Sequence, residues 1–426
     1  MKVGMVTYGS NGDVEPMVSF ALELAKNNHE VDIAIISIHD RDYSFLNDVN
    51  NIRCVQKDYS NSVRVSADDN VDFWRHDVDD QFSVMDRWYK ATLDQVVQYS
   101  EEFCAHCDIL VGPQHLLESS CIAEKMSTPY VSLRALPAHV RSSHIEPYWL
   151  SFFQLEGMTN NEMWDLLESY ENKSYKRYIN RFRKQYDLPR VKNVMKEVID
   201  SSWLNLISYS EHLHQIQDDW EPSFKLCGHF LAPSYLNWSM PQELEDFIGH
   251  DEKPILISLH SMLEYESDKD GIKNLLVDVA ERLGKKVIVH SNWGQSEMVN
   301  DMLFKLDGIV DLPLLIDRCR LVVHHGGVGI SHITTTQGVP SVVMKYGCDH
   351  PYNSDALDAV GVSGGSIYRN DVTVENLSDL VLSSLADENL FLRSENLGVK
   401  MRDENGARKA VVFLEEAFST LKTNKV

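Results

Sequence analysis

The sequence predicts an α/β protein that contains two parallel sheets, each flanked by helices. Short apolar runs of strand length alternate with amphipathic helical segments, and this alternation restarts near residue 254. The chain has 426 residues, of which 43% are hydrophobic. That length is sufficient for two domains of about 200 residues, each with a core of its own.

Each strand is predicted as a mostly aliphatic run bounded by turn residues. In the first half these runs cover 2–7, 31–36, 52–56, 108–112 and 129–132. In the second half they cover 254–259, 286–290, 321–323 and 341–344, with helices over 270–283 and 405–422. Proline residues and weak periodicity near 212–253 predict a linker. The predicted division is therefore a first domain over 1–215, a linker over 216–252, a second domain over 253–404 and a C-terminal helix over 405–426.

Charge and composition exclude several classes of protein. The net charge of −24 argues against nucleic-acid binding and against a broadly basic membrane-binding face. No apolar run approaches the roughly 20 residues that cross a bilayer, and no signal-peptide pattern precedes the first strand. The seven cysteines are scattered and odd in number, which fits a reducing, cytoplasmic compartment. We interpret Cys104 and Cys107 as two residues on one helix face, not as a metal site.

Two local charge runs leave alternatives open. The basic, aromatic-interleaved segment 173–196 predicts either a solvated helix or a contact with an anionic acceptor or lipid head group. The acidic segment 68–80 predicts a solvated loop, and we infer no metal from it.

The segment from Val322 to Tyr352 carries the strongest functional signal. A buried strand runs into two histidines, a turn with Gly326, Gly327 and Gly329, and a helix. Backbone N–H groups and the positive end of the helix dipole converge at such a turn, which is a ready-made phosphate site. The next strand then delivers Asp349 and His350.

The N-terminus carries a second, independent pattern. A first strand leads into the turn Gly9-Ser10-Asn11-Gly12-Asp13-Val14-Glu15-Pro16 and a helix, followed by Asn28-His29-Glu30-Val31 and a second strand. The dinucleotide fingerprint Gly-x-Gly-x-x-Gly is absent, which argues against a dehydrogenase.

Together the two patterns resemble glycosyltransferase family one, the inverting enzymes with two facing Rossmann-like domains known as the GT-B fold. The resemblance is to the bacterial antibiotic and lipid enzymes and to the sterol enzymes. It implies a C-terminal helix that crosses back to the first domain. It also implies a nucleotide sugar linked to UDP or dTDP as co-substrate, with no further cofactor and no metal.

The resemblance makes Asp13 the base that takes the proton from the acceptor hydroxyl. From the residues alone, Asp13 could instead cap the helix that it precedes, and both roles could hold at once. The implied donor site comprises Ser10, Gly12, Ser261, Trp293, His325, Gly326, Gly327, Val328, Gly329, Ser331, Asp349 and His350. The implied acceptor site comprises His115, Tyr148, Trp149, Phe152 and Phe153. By the residues alone, the aromatic stretch 137–180 forms either an apolar pocket or core, and lone histidines such as His115, His139 and His144 are more often structural.

Four departures from the family pattern bear on the donor. His260 replaces a glycine beside Ser261, and Ile330 replaces a small hydroxyl residue. The segment 311–319 is shorter than usual, so the base, uracil or thymine, is not read from it. His350 stands where glutamine usually binds sugar hydroxyls, and in plant relatives this exchange accompanies galactose.

The resemblance therefore implies transfer of a hexose or deoxyhexose to a hydroxyl of a lipophilic natural product or lipid. Two alternatives remain. One is an epimerase-like enzyme of the same fold, which would turn over the donor without an acceptor. The other is a non-catalytic homologue that binds a nucleotide sugar. The acceptor's identity and the oligomeric state are not readable from the sequence.

Overall fold

The computed structural model describes residues 1–37, 41–58, 93–148, 155, 157–231, 238–250, 252–259, 262–263 and 266–423. Within these ranges the chain forms two compact units. The first contains the described residues up to 231 and those from 405 onward, and the second contains those from 238 to 404. None of the described helices is both long enough and apolar enough to span a bilayer.

The first unit is a seven-stranded parallel sheet with helices. Its strands are β1 (Lys2–Gly9), β2 (Glu30–Ser37), β3 (Ile52–Asp58), β4 (Ile109–Pro113), β5 (Tyr130–Arg134), β6 (Leu204–Ile207) and β7 (Phe224–Leu226). Its helices are α1 (Asn11–Lys26), α2 (Leu93–His106), α3 (Leu117–Met126) and α4 (Asn160–Gln185). Short helical turns occupy Ser44–Asp48, Pro137–His139 and Met195–Ile199.

The strand order β3-β2-β1-β4-β5-β6-β7 decides where a site can form. All described pairings in this sheet are parallel. The strand order reverses between β1 and β4, so the crevice beyond the carboxyl end of β1 is the expected ligand position in this unit. Strands β1 and β2 are buried along almost their whole length, as expected for a parallel sheet covered on both faces.

The second unit repeats this architecture. Its strands are β8 (Ile255–Ser258), β9 (Val287–His290), β10 (Glu297–Asn300), β11 (Leu303–Leu306), β12 (Leu321–His324), β13 (Ser341–Lys345) and β14 (Ser363–Tyr368). Its helices are α5 (Gln242–Ile248), α6 (Lys269–Leu283), α7 (Leu312–Asp317), α8 (Val328–Thr336), α9 (His350–Ala359), α10 (Val374–Ala386) and α11 (Glu388–Asp403), with a short turn at Arg369–Asp371.

The order of this second sheet is β10-β11-β9-β8-β12-β13-β14, and only the edge pair β10–β11 is antiparallel among the described strands. The order reverses between β8 and β12, which places the loop after β12 at the expected ligand position. The predicted parallel α/β fold class is confirmed in both units.

The last helix, α12 (Gly406–Thr423), belongs to the first unit and packs on α1. Glu415 on α12 lies 2.9 Å from His29. Lys409 pairs with Glu211 at 2.9 Å. A side chain at Gly406 would place its Cβ 2.3 Å from the carbonyl oxygen of Gly228, so only glycine permits the close approach at which α12 begins.

The sequence predicts no strand at β6, β7, β10, β11 or β14. β6 and β11 have four residues each and are buried, whereas the other three lie at sheet edges and are short or weakly apolar. β7 lies within the predicted linker and has three residues, while β10 is exposed along its length. β14 has the sequence SGGSIY and is only partly buried. Such segments pair because a neighbouring strand offers its free edge, and hydrophobic periodicity does not reveal them.

Candidate active site

The candidate donor site of the second unit is the turn between β12 and α8. β12 ends at His324, and α8 begins at Val328 after His325, Gly326 and Gly327. Gly326 has a φ of +91°, and a Cβ there would lie 2.8 Å from the Val343 Cγ1 atom. Only glycine tolerates both conditions, so the turn predicted from the sequence is confirmed in its local geometry.

The N-terminus of α8 is held by a carboxylate. The backbone N–H of Val328 donates to Asp349 Oδ2 at 2.9 Å. The amide nitrogen of Asn353, one helical turn after Asp349 on α9, donates to the same oxygen at 2.9 Å and to the Gly326 carbonyl at 2.8 Å. This network attaches α9 to the turn. The N–H groups of the first turn of α8 have no acceptor within the helix, and their partial positive charges form the positive end of the helix dipole.

His325 is the first residue of this turn, and a hydrogen bond from the backbone determines its tautomer. Its Nδ1 accepts the N–H of Gly327 at 3.0 Å and lies 3.2 Å from Nε2 of His350. A backbone N–H can only donate, so Nδ1 of His325 carries no proton and Nε2 carries it. His325 is therefore a hydrogen-bond donor through Nε2.

Burial keeps the imidazoles of this site neutral. It lowers the pKa of His324 to about 3, with a further contribution from His325, and that of His350 to about 3, with a further contribution from His324. Burial together with His350 also holds the pKa of His325 well below its ordinary value. His324 has both nitrogens engaged, since Nδ1 accepts the Gly326 N–H at 3.1 Å and Nε2 lies 2.9 Å from Ser341 Oγ.

The imidazole of His350 is not exposed in a way that would let it bind a sugar hydroxyl. Its side chain is buried, with 5% of the residue exposed. Nδ1 accepts the backbone N–H of Tyr346 at 3.3 Å, and Nε2 faces His325. Both nitrogens are thus engaged inside the unit. Asp349, by contrast, keeps 23% of its side chain exposed.

Ser331 and Ile330 face the interior of the unit. Ser331 is 1% exposed, and its hydroxyl has no hydrogen-bond partner among the described residues. Ile330 is 7% exposed and packs with Leu256 and Val322 in the core. The predicted phosphate contact of the Ser331 hydroxyl would require that hydroxyl to leave its buried position. Val328 is buried, and Gly329 is partly exposed with open space where a Cβ would lie.

Trp293 follows β9 and lies between two lysines. The ammonium of Lys273 lies 5.4 Å from its ring centroid and that of Lys305 lies 4.9 Å away. Its indole N–H donates to the Val289 carbonyl at 2.9 Å. The structure does not show it next to the α8 turn, so its predicted donor contact stays a prediction. Ser261 and His260 lie outside the described residues.

In the first unit, Asp13 lies in the first turn of α1, directly after β1. The helix begins at Asn11, so Asp13 is its third residue and does not precede it. Oδ2 of Asp13 accepts both the backbone N–H and the hydroxyl of Ser10, each at 2.9 Å. Oδ1 accepts no hydrogen bond from the part of the chain that the structure describes. Asp13 therefore caps the helix through Oδ2 and leaves Oδ1 able to accept a proton.

Asp13 lines a small cavity of about 40 Å³ within the first unit. Gly12, Gln114, His115, Arg134 and His139 line it as well. Nε2 of His115 donates to the Tyr8 carbonyl at 3.2 Å, and the Gln114 amide lies 2.6 Å from Nδ1 of His139. The volume suffices for about one water molecule or one hydroxyl group.

The aromatic residues predicted around an acceptor are only partly described. Tyr148 lies against His139, with ring centroids 4.3 Å apart in an edge-on arrangement. Trp149, Phe152 and Phe153 lie outside the described residues. Gln114, Tyr346 and Asn353 were missed by sequence reasoning. Only Asn353 left a signal, because its spacing of four from Asp349 places both on one helix face.

Two groups of described side chains are close enough to hold a metal ion, and neither includes a residue of the α8 turn or Asp13. They are Asp32, His106 and Cys107, and His144, Asp218 and Asp219. Asp32 already accepts two hydrogen bonds from Arg53 and lies 3.2 Å from Lys2. These cations neutralise the carboxylate, so the first group is a satisfied ion-pair cluster.

Comparison with known proteins gives consistent results. A family model described as the C-terminal domain of erythromycin biosynthesis protein CIII-like proteins matches residues 274–411. A sterol 3-beta-glucosyltransferase of Arabidopsis thaliana is 26% identical over 219 residues, which are 51% of this chain and 34% of that protein. An O-mycaminosyltylonolide 6-deoxyallosyltransferase of Streptomyces fradiae is 25% identical over 205 residues, which are 48% of this chain and 47% of that protein. The chain therefore spans about a third of the first relative and about half of the second.

A solved structure shares the fold over nearly the whole length. The glycosyltransferase VinC in complex with dTDP superposes with a TM-score of 0.64 and 16% identity, covering 98% of this chain and 99% of that one. This likeness confirms the GT-B fold predicted from the two sequence patterns.

Proposed function

We propose that this chain is a member of glycosyltransferase family one and that it moves a hexose or deoxyhexose from a UDP- or dTDP-sugar to a hydroxyl of a lipophilic small molecule, with inversion and without a metal. The observation that carries the proposal is the turn before α8, where His325 and the first helical N–H groups are hydrogen-bond donors suited to an anion.

The reaction requires one displacement at the anomeric carbon. The acceptor oxygen forms its bond to that carbon as the bond to the diphosphate breaks, and the acceptor's proton goes to a base. Asp13 is that base in our proposal. Asp13 lines the cavity of the first unit, and its Oδ2 is held by Ser10. A carboxylate positioned in this way takes a proton without having to reorient.

The departing diphosphate gains negative charge, which donors in place before the reaction stabilise best. His325 would donate through Nε2, and the backbone N–H groups of Gly329 and Ile330 would add the positive end of the α8 dipole. These groups take the part that a divalent cation plays in other glycosyltransferases. Asp349, partly exposed beside them, would accept hydrogen bonds from sugar hydroxyls.

The choice of donors rests on relatives. The relatives include a sterol glucosyltransferase and a 6-deoxyallosyltransferase, and VinC was solved with dTDP. We therefore include both glucose-like and deoxy sugars, and both pyrimidine bases. A lipophilic acceptor such as a sterol or a macrolide aglycone follows from the same names. A cytoplasmic location remains our expectation from the sequence.

Donor binding is tested by a thermal-shift panel with UDP, dTDP, GDP, UDP-glucose, UDP-galactose, UDP-N-acetylglucosamine and dTDP-glucose. A ligand at a hundredfold excess over its Kd stabilises the native state by about 2.7 kcal/mol. We expect a clear shift with one pyrimidine nucleotide and its sugars. The absence of a shift with every compound would contradict the donor site.

Catalysis is tested by Asp13→Asn with a sterol and a macrolide aglycone as acceptors, following release of UDP or dTDP. The transfer rate should fall by about 10²–10⁴-fold, the usual contribution of a general base, while donor binding stays unchanged. Asp270→Asn is the matched control, because Asp270 is an exposed carboxylate in the first turn of α6. Donor binding without turnover by the native chain would indicate the non-catalytic alternative. Conversion of the donor sugar without acceptor would indicate the epimerase-like one.

A further inference from the structure

We propose that His350 is a positioning residue of the donor site. It holds His325 as a neutral hydrogen-bond donor and does not bind the sugar itself. The effect that we predict on donor binding rests on the proposed function. The structural half of the proposal, the arrangement of protons on the two rings, can be tested on the protein alone.

The direction of the contact between the two rings follows from two backbone N–H groups. Tyr346 donates its N–H to Nδ1 of His350, so the proton of His350 must lie on Nε2. Gly327 donates its N–H to Nδ1 of His325, so that nitrogen must be an acceptor. The 3.2 Å contact is therefore a hydrogen bond from Nε2 of His350 to Nδ1 of His325.

Two donors thus converge on the Nδ1 atom of His325. Protonation of that atom would place three N–H groups at one point, which is unfavourable in a buried site. A diphosphate next to Nε2 would otherwise favour an imidazolium, since a nearby opposite charge stabilises the charged form. His350 opposes this change. His325 then binds the donor as a neutral N–H group, and affinity does not depend on its titration.

The charged and titratable groups around the pair support this arrangement. His324, the last residue of β12, has both nitrogens engaged, and the Tyr346 ring lies edge-on to His350 with centroids 6.1 Å apart. Asp349 is the carboxylate beside the pair, with Oδ1 3.9 Å from Nε2 of His350. Its other oxygen, Oδ2, accepts hydrogen bonds from the Val328 N–H and the Asn353 amide and so stabilises the turn.

The first test is the tautomeric state of His325 in the ligand-free protein, measured by ¹⁵N chemical shifts of the imidazole nitrogens. The chain has 17 histidines, so His325→Gln and His350→Gln assign the two signals by their disappearance. We expect both rings to be neutral and protonated on Nε2 from pH 5.5 to 8. A cationic His325, or one protonated on Nδ1, at pH 7 would overturn the proposal.

The second test is donor affinity as a function of pH in His350→Gln and His350→Leu. The probe is UDP-glucose or dTDP-glucose, because a diphosphate esterified at both ends does not titrate between pH 5.5 and 8. Glutamine can still donate to Nδ1 of His325, so its Kd should change less than about twofold over this range, like that of the native chain. Leucine cannot donate, so binding should tighten about tenfold at pH 5.5, the effect of one unit of pKa.

His290→Gln is the matched control. His290 is also buried in the second unit with both nitrogens engaged, by Ser258 and the Gly308 carbonyl. It should leave the pH profile unchanged.

A flat profile in His350→Leu would overturn the proposal. So would a His350→Gln variant that keeps its Kd for the nucleotide but changes from a galactose preference to a glucose preference, because that result assigns His350 to the sugar. If no nucleotide binds at all, the proposed function fails, and the ¹⁵N measurement still decides the arrangement of the two rings.

Discussion

Oδ2 of Asp349 lies 2.9 Å from the backbone nitrogen of Val328, so the carboxylate that follows β13 caps the helix that follows β12. The sequence pattern assigns this aspartate to the sugar. The structure adds a second role, because the same side chain ties two neighbouring βα turns together.

The first prediction concerns Asp349. Asp349→Asn keeps an acceptor but loses the charge at the positive end of α8, and we expect the free energy of unfolding to fall by about 0.5–1 kcal/mol. Asp349→Ala also loses the hydrogen bonds of Val328 and Asn353 and should cost about 1–2 kcal/mol. Urea denaturation measures both. Asp358→Asn, on the exposed face of α9, should change stability little. Equal effects of Asp358→Asn and Asp349→Asn would disprove the capping role.

The second prediction compares two glycines of the same turn. Gly326→Ala should destabilise the second unit by about 1–3 kcal/mol, because φ is +91° and the new Cβ would meet Val343. Gly329→Ala should be neutral or stabilise by about 0.5–1 kcal/mol, since the position is helical and the space is open. Thermal denaturation of the two variants decides the matter, and a Gly326→Ala protein as stable as Gly329→Ala would contradict the geometry of the turn.

The third prediction concerns the support of Asp13. A Cβ at Gly9, where φ is +134°, would lie 2.4 Å from the carboxylate oxygen Oδ2. Gly9→Ala should therefore displace Asp13 and lower the transfer rate, while leaving the Kd for the nucleotide sugar unchanged. Ser10→Ala removes one of two hydrogen bonds and should cost about 0.5–2 kcal/mol of stability. Kinetics with saturating donor measure the transfer rate, and a donor titration measures the Kd, so a loss of catalysis is distinguished from a loss of donor binding. Unaltered kcat in Gly9→Ala would argue against Asp13 as the base.

The fourth prediction is a pH dependence of stability. Burial raises the pKa of Glu171 from its ordinary value of 4.5 to about 8, with a further contribution from Asp200, and its Oε2 has no hydrogen-bond partner among the described residues. Between these pH values the folded state binds one more proton than the unfolded state. The free energy of unfolding therefore falls as the pH rises from 4.5 toward 8.

Glu171→Gln should remove this slope. The variant should be more stable than the native chain at pH 8, by on the order of 1–3 kcal/mol, and similar to it at pH 4.5. Denaturant unfolding at both pH values measures the difference. Glu395→Gln, an exposed change on α11, provides the comparison. A slope that persists in Glu171→Gln would assign the pH dependence to another group.

Much of the fold could be predicted from the sequence because buried parallel strands are continuous apolar runs. The predicted runs at 2–7 and 321–323 correspond to β1 and β12. The exposed strand β10 and the glycine-rich β14 could not be predicted in this way, since their pairing partners, and not their own side chains, make them strands.

The candidate site likewise has features that could be predicted from the sequence and features that could not. The local chemistry of the α8 turn depends on residues adjacent in sequence, so the sequence by itself determined Gly326, His325 and the helix start. Whether Asp349 caps α8, whether Ser331 is buried, and whether His350 faces a ligand or His325 depend on how α9 packs against α8. Only the tertiary structure decided these, because hydrogen bonds between side chains and a neighbouring turn require distances that the order of residues along the chain does not contain.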